Sequence, residues 1–287
     1  MASTKSPDLD DLDYLKDIDI SNMLGTLEHL PKHIEEARKI PPADLGDFKP
    51  NLIVVLGMGG SAIAGDIVDS WLNKIIQLPI VVVRGYELPK LIDSNTLVFA
   101  VSFSGNTEET LAAFEEALKC EAKVIAISTG GKLEERSKEL NVPHILLQPT
   151  EQLVPRAAIA YLLLPIITNL TRLGLIPKDE CDLEVDDAIT TLKTLSNTLG
   201  AASKSEDNQS KQIAIKLSGR LPLIYSYKPF SSISYRWQTQ LNENSKVLAR
   251  CAELPEINHN DIVGWMGDED MDKYSVVLLR DLAIESR

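Results

Sequence analysis

A chain of 287 residues can fill one large domain or two of ordinary size, and 44% hydrophobic residues supply ample core for either. A formal charge of −13 argues against nucleic acid and acidic lipid surfaces as partners, so any anionic ligand must be held by local dipoles and a few placed cations. Three cysteines (Cys120, Cys181 and Cys251) with no close pairing give neither a disulfide framework nor a metal knot, which fits a reducing, cytoplasmic setting. The start, Met1 to Asp8, has no apolar core of a signal peptide.

Residues 1–50 read as an acidic, irregular segment with a helix over Ser21–Ile40, in which Met23, Leu24, Leu27, Leu30 and Ile34 recur at helical spacing. Pro41 and Pro42 end it. From Asn51 to about residue 150 strands and helices alternate, with strands predicted at Leu52–Leu56, Ile80–Val83, Leu97–Val101, Val124–Ile127 and His144–Leu147. Repeated strand–helix–strand order predicts an α/β fold, a doubly wound parallel sheet whose ligands bind beyond the carboxyl ends of the strands.

Two of those strand exits are unusual. The first is Gly57-Met58-Gly59-Gly60-Ser61-Ala62, followed by a helix expected to turn Ile67, Val68, Trp71, Leu72 and Ile75 to the core. Its glycines let the backbone of Gly59 and Gly60 approach a ligand, and Ser61 adds a hydroxyl at a helix start. The spacing is not the G-x-G-x-x-G of a dinucleotide site, and no Gly-Lys-Ser/Thr of a nucleoside-triphosphate loop is present.

The second exit is Ser102-Phe103-Ser104-Gly105-Asn106-Thr107-Glu108-Glu109, leading into a helix with Leu111, Phe114 and Leu118 on one face. Asn106 and Glu109 have the spacing of a capping box. Ser102, Ser104, Gly105 and Thr107 are more than a cap needs, and hydroxyls gathered at a helix N-terminus predict a small phosphate site.

Residues 151–211 read as a helical connection. Pro155-Arg156 opens it and sets Arg156 at the mouth of the sheet, as a ligand contact or as a solvated arginine at a domain seam. The most apolar segment, Ala157–Leu173, is interrupted by Pro165, Asn169, Thr171 and Arg172 and reads as a buried helix rather than a membrane span. An amphipathic helix covers Val185–Leu199, and Ser203–Lys211, with no apolar residue, reads as an exposed linker or loop tip.

Alternation restarts in residues 212–287, with a strand at Leu221–Tyr225, serines 231, 232 and 234, a helix to about Arg250, and a strand at Tyr274–Leu279. Two or three strands with nothing to cover the last make an incomplete domain, so we expect this chain to be a fragment or shortened product of a longer protein.

Five stretches, at residues 57–66, 102–110, 154–156, 240–246 (Gln-Leu-Asn-Glu-Asn-Ser-Lys) and 256–264 (Glu-Ile-Asn-His-Asn-Asp-Ile-Val-Gly), resemble the bifunctional phosphoglucose/phosphomannose isomerases of the sugar isomerase (SIS) superfamily. The resemblance implies two SIS domains, the second truncated here, and interconversion of glucose 6-phosphate and mannose 6-phosphate with fructose 6-phosphate through an enediolate. It puts the phosphate on Ser61, Ser102, Ser104 and Thr107, the proton-transferring base at Glu243, the ring-opening group at His259 and the oxyanion-steadying cation at Arg156. Read alone, Glu243 is an exposed helix glutamate and His259 a loop hydrogen-bonder.

The chemistry is coherent without a metal or cofactor: a carboxylate moves the proton, an imidazole serves the ring oxygen and a guanidinium holds the negative charge. The resemblance further implies a homodimer in which His259 crosses to the neighbouring site. A lysine and a threonine of the family's C-terminal part would lie beyond Arg287, so we expect little activity from this chain. The alternatives are a non-catalytic SIS sugar-phosphate sensor, against which the absence of a basic DNA-binding segment counts for a transcriptional role, and another SIS enzyme of pentose-phosphate or amino-sugar type.

Overall fold

In the computed structural model the described residues are 8–267 and 270–281. Of the segments read above, Met1–Pro7 and the stretch from Leu282 to Arg287 lie outside them. Residues 8–50 hold three short helices, α1 (Leu12–Ile18), α2 (Met23–Glu28) and α3 (Leu30–Ala37). The single helix expected over Ser21–Ile40 is thus broken at His29, and Pro31 occupies the first turn of α3, where its missing N–H costs nothing. The segment is also less irregular than expected, because Asp11 caps α1 by accepting from the N–H groups of Asp13 and Tyr14 at 3.1 Å.

The first sheet contains β1 (Leu52–Leu56), β2 (Ile80–Val83), β3 (Thr96–Val101), β4 (Lys123–Ser128) and β5 (His144–Leu146), all parallel, in the order β2-β1-β3-β4-β5. The helices α4 (Gly59–Leu72), α5 (Glu108–Lys119) and α6 (Gly131–Glu139) connect them. β1 and β3 are buried along their whole length, as continuous apolar runs in a sheet covered on both faces must be. One face packs on α4, α3 and α7 (Ile159–Arg172), where Tyr161 and the aliphatic residues of α7 join Val68 and Leu72; the other packs on α5 around Phe114. Trp71 and Ile75 are half-buried against the first of these cores, whereas Ile67 stays half-buried outside it.

The apolar segment at 157–173 is the buried helix expected. Pro155–Ala157, however, forms a separate single 3-10 turn before it. Asn169 is fully buried because its amide ties α7 to the chain after α3: Oδ1 accepts from the N–H of Ala43 at 3.0 Å and Nδ2 donates to the Pro165 carbonyl at 2.7 Å. α8 (Lys178–Leu199) starts earlier than predicted. The exposed linker or loop tip expected over Ser203–Lys211 holds for most of that stretch but not for Asn208 and Lys211. Asn208 is buried and caps α9 (Gln209–Leu217), and the Lys211 ammonium is buried on Asp10 and on the carbonyls of Ala201 and Ser203.

A second parallel sheet follows, β6 (Leu221–Tyr227), β7 (Arg250–Leu254) and β8 (Tyr274–Leu278), in the order β7-β6-β8. The helix expected to reach Arg250 is α10 (Ser231–Gln240), which ends ten residues earlier. It widens into a π turn over Leu241–Ser245, and Arg250 instead opens a strand aligned with Leu223 of β6. Arg-Cys-Ala-Glu-Leu has little intrinsic strand preference, so pairing with β6 decides its state. A short α11 (Asp261–Trp265) lies between β7 and β8. Among the described residues the fold is therefore α/β with two parallel sheets, the second of three strands.

Candidate active site

The turn after β3 is shaped by one glycine. Gly105 has φ +70°, and a Cβ built on it would stand 1.8 Å from the Gly130 carbonyl oxygen, so only glycine lets the exits of β3 and β4 press together. Its N–H closes the turn on the Ser102 carbonyl at 2.9 Å, and its own carbonyl accepts from the N–H of Leu133. Thr107, not Asn106, is the N-cap of α5, and no side chain caps that helix. The expected capping box does not form because Asn106 is used elsewhere: Nδ2 donates to the Ser104 carbonyl at 3.0 Å and Oδ1 accepts from the N–H of Lys132 at 3.1 Å.

That turn gathers the hydroxyls. Ser102 Oγ and Thr107 Oγ1 are 2.9 Å apart and share one hydrogen bond, so one of the two protons is left to donate. Ser61, from the other unusual exit, accepts from the N–H of Phe103 at 3.4 Å, which leaves its own O–H free. Ser104 accepts from the N–H of Asn106 at 3.3 Å and is exposed, whereas Ser61 and Ser102 are buried. Glu108 and Glu109 already oppose the dipole of α5, so an anion here would rest chiefly on neutral donors.

One residue before Ser61, Gly60 brings this cluster against the Pro155–Arg156 turn. A Cβ on Gly60 would lie 2.9 Å from the Pro155 carbonyl oxygen and 3.4 Å from Arg156 Cα. Gly59 has φ +49°, which the sharp entry into α4 requires.

Arg156 in turn reaches the second sheet unit. Its Nε donates to Asn244 Oδ1 at 2.5 Å, and its Nη1 stands 3.9 Å from Glu243 Oε2. The Arg156 side chain is 23% exposed and that of Glu243 45%, so Arg156 lies partly buried at the seam between the two sheet units. Ser61, Ser102, Thr107, Gly60, Arg156 and Glu243 thus form one continuous strip from the β1 and β3 exits to the π turn after α10.

His259 is not on that strip. It follows a short 3-10 turn beyond β7, is exposed, and its imidazole makes no hydrogen bond to a described residue. Among the described residues no group of three or more His, Cys, Asp or Glu side chains has metal-holding geometry, and no helix is long and apolar enough to cross a membrane.

The SIS-domain family model matches residues 48–155, and that of the bacterial phospho-glucose isomerase C-terminal SIS domain matches residues 206–287. A bifunctional phosphoglucose/phosphomannose isomerase of Caldicellulosiruptor bescii is 35% identical over 264 residues, covering 90% of this chain and 77% of that protein. One from Aquifex aeolicus is 37% identical over 239 residues, covering 83% of this chain and 69% of that protein. The chain belongs to the bifunctional phosphoglucose/phosphomannose isomerase family.

Among solved structures, the tagatose-6-phosphate ketose/aldose isomerase of Escherichia coli shares the fold, with a TM-score of 0.63 at 18% identity over 90% of this chain and 74% of that one. In this phosphoglucose/phosphomannose isomerase family member, Arg236, Gln240 and Asn244 brace the strip though none was a predicted site residue, the last two standing in the 240–246 stretch. Arg236 Nη2 and Gln240 Nε2 both donate to the Arg156 carbonyl, at 3.3 and 3.2 Å, and Gln240 Oε1 accepts from Asn244 Nδ2 at 2.7 Å. Burial pushes the Arg236 guanidinium below its ordinary pKa, against the attraction of the Glu243 carboxylate, and its Nη1 is buried without a partner. A signal was available: Arg236, Gln240 and Glu243 are spaced i, i+4 and i+7, one face of a helix.

Proposed function

We propose that this chain is an aldose–ketose isomerase that interconverts glucose 6-phosphate and mannose 6-phosphate with fructose 6-phosphate by proton transfer between C1 and C2. The observation that carries the reading is the Gly60 contact, which joins a cluster of neutral donors fit for a phosphate to an arginine–glutamate pair. In this reading Ser61, Ser102, Ser104 and Thr107 hold the phosphate, and the backbone of Gly59 and Gly60 lies along the sugar. Orientation is their contribution.

Glu243 removes the proton from C2 and returns it to C1, and the Arg156 guanidinium, which cannot act as an acid near neutral pH, stabilises the enediolate oxygens. His259 opens the ring from the partner subunit of a cytoplasmic homodimer; its exposure and distance from the strip's contacts support that role. We divide the chain accordingly into an N-terminal helical segment (1–50), a phosphate-binding SIS domain (51–150), a helical connection (151–211) and an incomplete second SIS domain (212–287).

The test is incubation of the chain with glucose 6-phosphate in deuterium oxide, followed by NMR of the sugar over hours, so that a slow catalyst still registers. Loss of the C2 proton signal is expected. Binding without exchange would turn the reading toward a sugar-phosphate sensor.

A further inference from the structure

The two sheet units share one wiring. In the first, β1 leads through α4 to β2 on one side, with β3 on the other; in the second, β6 leads through α10 to β7, with β8 on the other. The turn into α4 supplies Ser61 to the hydroxyl cluster. The corresponding turn into α10 carries Lys228, Ser231 and Ser232.

Ser232 is 4% exposed, and its Oγ and that of Ser231 are buried without a hydrogen-bond partner. An unpaired buried hydroxyl is destabilising, and alanine would fill the same space without that cost. Neither serine's N–H reaches a backbone carbonyl, whereas those of Ile233 and Ser234 both go to Phe230. Four unpaired donors therefore meet at the start of a ten-residue helix.

Both serines and Lys228 line a cleft of about 480 Å³ between the start of α10, the end of β7 and the outer half of α4. The same cleft is lined by Asp69, which feels the charge of Lys228, by Glu253, and by Asp66, which is ion-paired with Arg84. A bare anion would be drawn to Lys228 and repelled by the carboxylates. A ligand with a phosphate at one end and hydroxyls at the other suits both, and the volume is in the ordinary range for small-molecule sites, about 300–1,000 Å³.

We propose that this cleft is a second sugar-phosphate site. Its phosphate rests on Ser231, Ser232 and Lys228, and its hydroxyls donate to Asp69 and Glu253. Asp69 lies eight residues beyond Ser61 on α4, about 12 Å along the helix, so the site is separate from the strip described above.

The experiment is calorimetric titration of the full chain with glucose 6-phosphate. Two binding events are expected. Ser102→Ala with Thr107→Val should remove one of them. Lys228→Met with Ser232→Ala should weaken the other at least about tenfold, the scale of a charge-assisted phosphate contact. Asp69→Asn should weaken glucose 6-phosphate but not inorganic phosphate at the second event.

A single event in the unaltered chain, abolished by the Ser102/Thr107 pair, overturns the proposal and leaves the isomerase reading standing. A single event insensitive to that pair but lost with Lys228 and Ser232 upholds the cleft and removes the phosphate cluster instead. No binding in any arm overturns both.

Discussion

Gly60→Ala isolates the contact on which the site's geometry turns. Gly60 is an ordinary helical residue, so alanine there gains up to about 1 kcal/mol of helix propensity. The added methyl, however, stands 2.9 Å from the Pro155 carbonyl oxygen, closer than real contacts come, and 3.3 Å from its carbon, which is tight. To reach ordinary contact the Pro155–Arg156 turn must retreat by about 0.5 Å, at a strain of about 1–3 kcal/mol. The two effects partly offset each other in stability, leaving a net loss of about 0–3 kcal/mol.

Catalysis has no such compensation, because the retreat moves Arg156 relative to Glu243 and Asn244. A misplacement of 1 Å can cost about a hundredfold, so half of that should slow C2 exchange about tenfold. Urea unfolding, exchange rates and the glucose 6-phosphate Kd would be measured together. The Kd should stay within about threefold, since Ser61, Ser102 and Thr107 are not pushed. Exchange at the original rate would refute the positioning role of this contact, and an equal fall in affinity and rate would show that the phosphate cluster moved instead.

Two further outcomes follow from the same geometry. Gly105→Ala must place a methyl 1.8 Å from the Gly130 oxygen at φ +70°, so it should destabilise the chain by roughly 3–5 kcal/mol, seen as a large drop in the urea midpoint. Arg236→Met should alter stability by no more than about 1 kcal/mol, because the buried guanidinium is costly to desolvate. It should nevertheless lower kcat about tenfold at unchanged KM by removing one of the two donors that hold the Arg156 carbonyl, with partial rescue in Arg236→Lys.

The first sheet was legible because its strands are unbroken runs such as Leu52–Leu56 and Leu97–Val101, whose burial on both faces leaves no other reading. β7 was not, because Arg250–Leu254 becomes a strand only by pairing with β6. Lys211 and Asn208 read as linker because their partners, Asp10 and the carbonyls near residue 200, are set by tertiary contact. At the site, hydroxyl spacing pointed to Ser102 and Thr107. The capping inference at Asn106 failed because a longer-range bond to Lys132 outcompeted it. Nothing local says that Gly60 faces Pro155, which is why the join between the two halves of the strip emerged only with the fold.

The most direct measurement compares C2 proton exchange in glucose 6-phosphate between the unaltered chain and Glu243→Gln, with the glucose 6-phosphate Kd measured in parallel. An amide of the same shape cannot accept the proton, so exchange should fall at least about a hundredfold while the sugar phosphate still binds. Undiminished exchange in Glu243→Gln would contradict the account and remove Glu243 as the base.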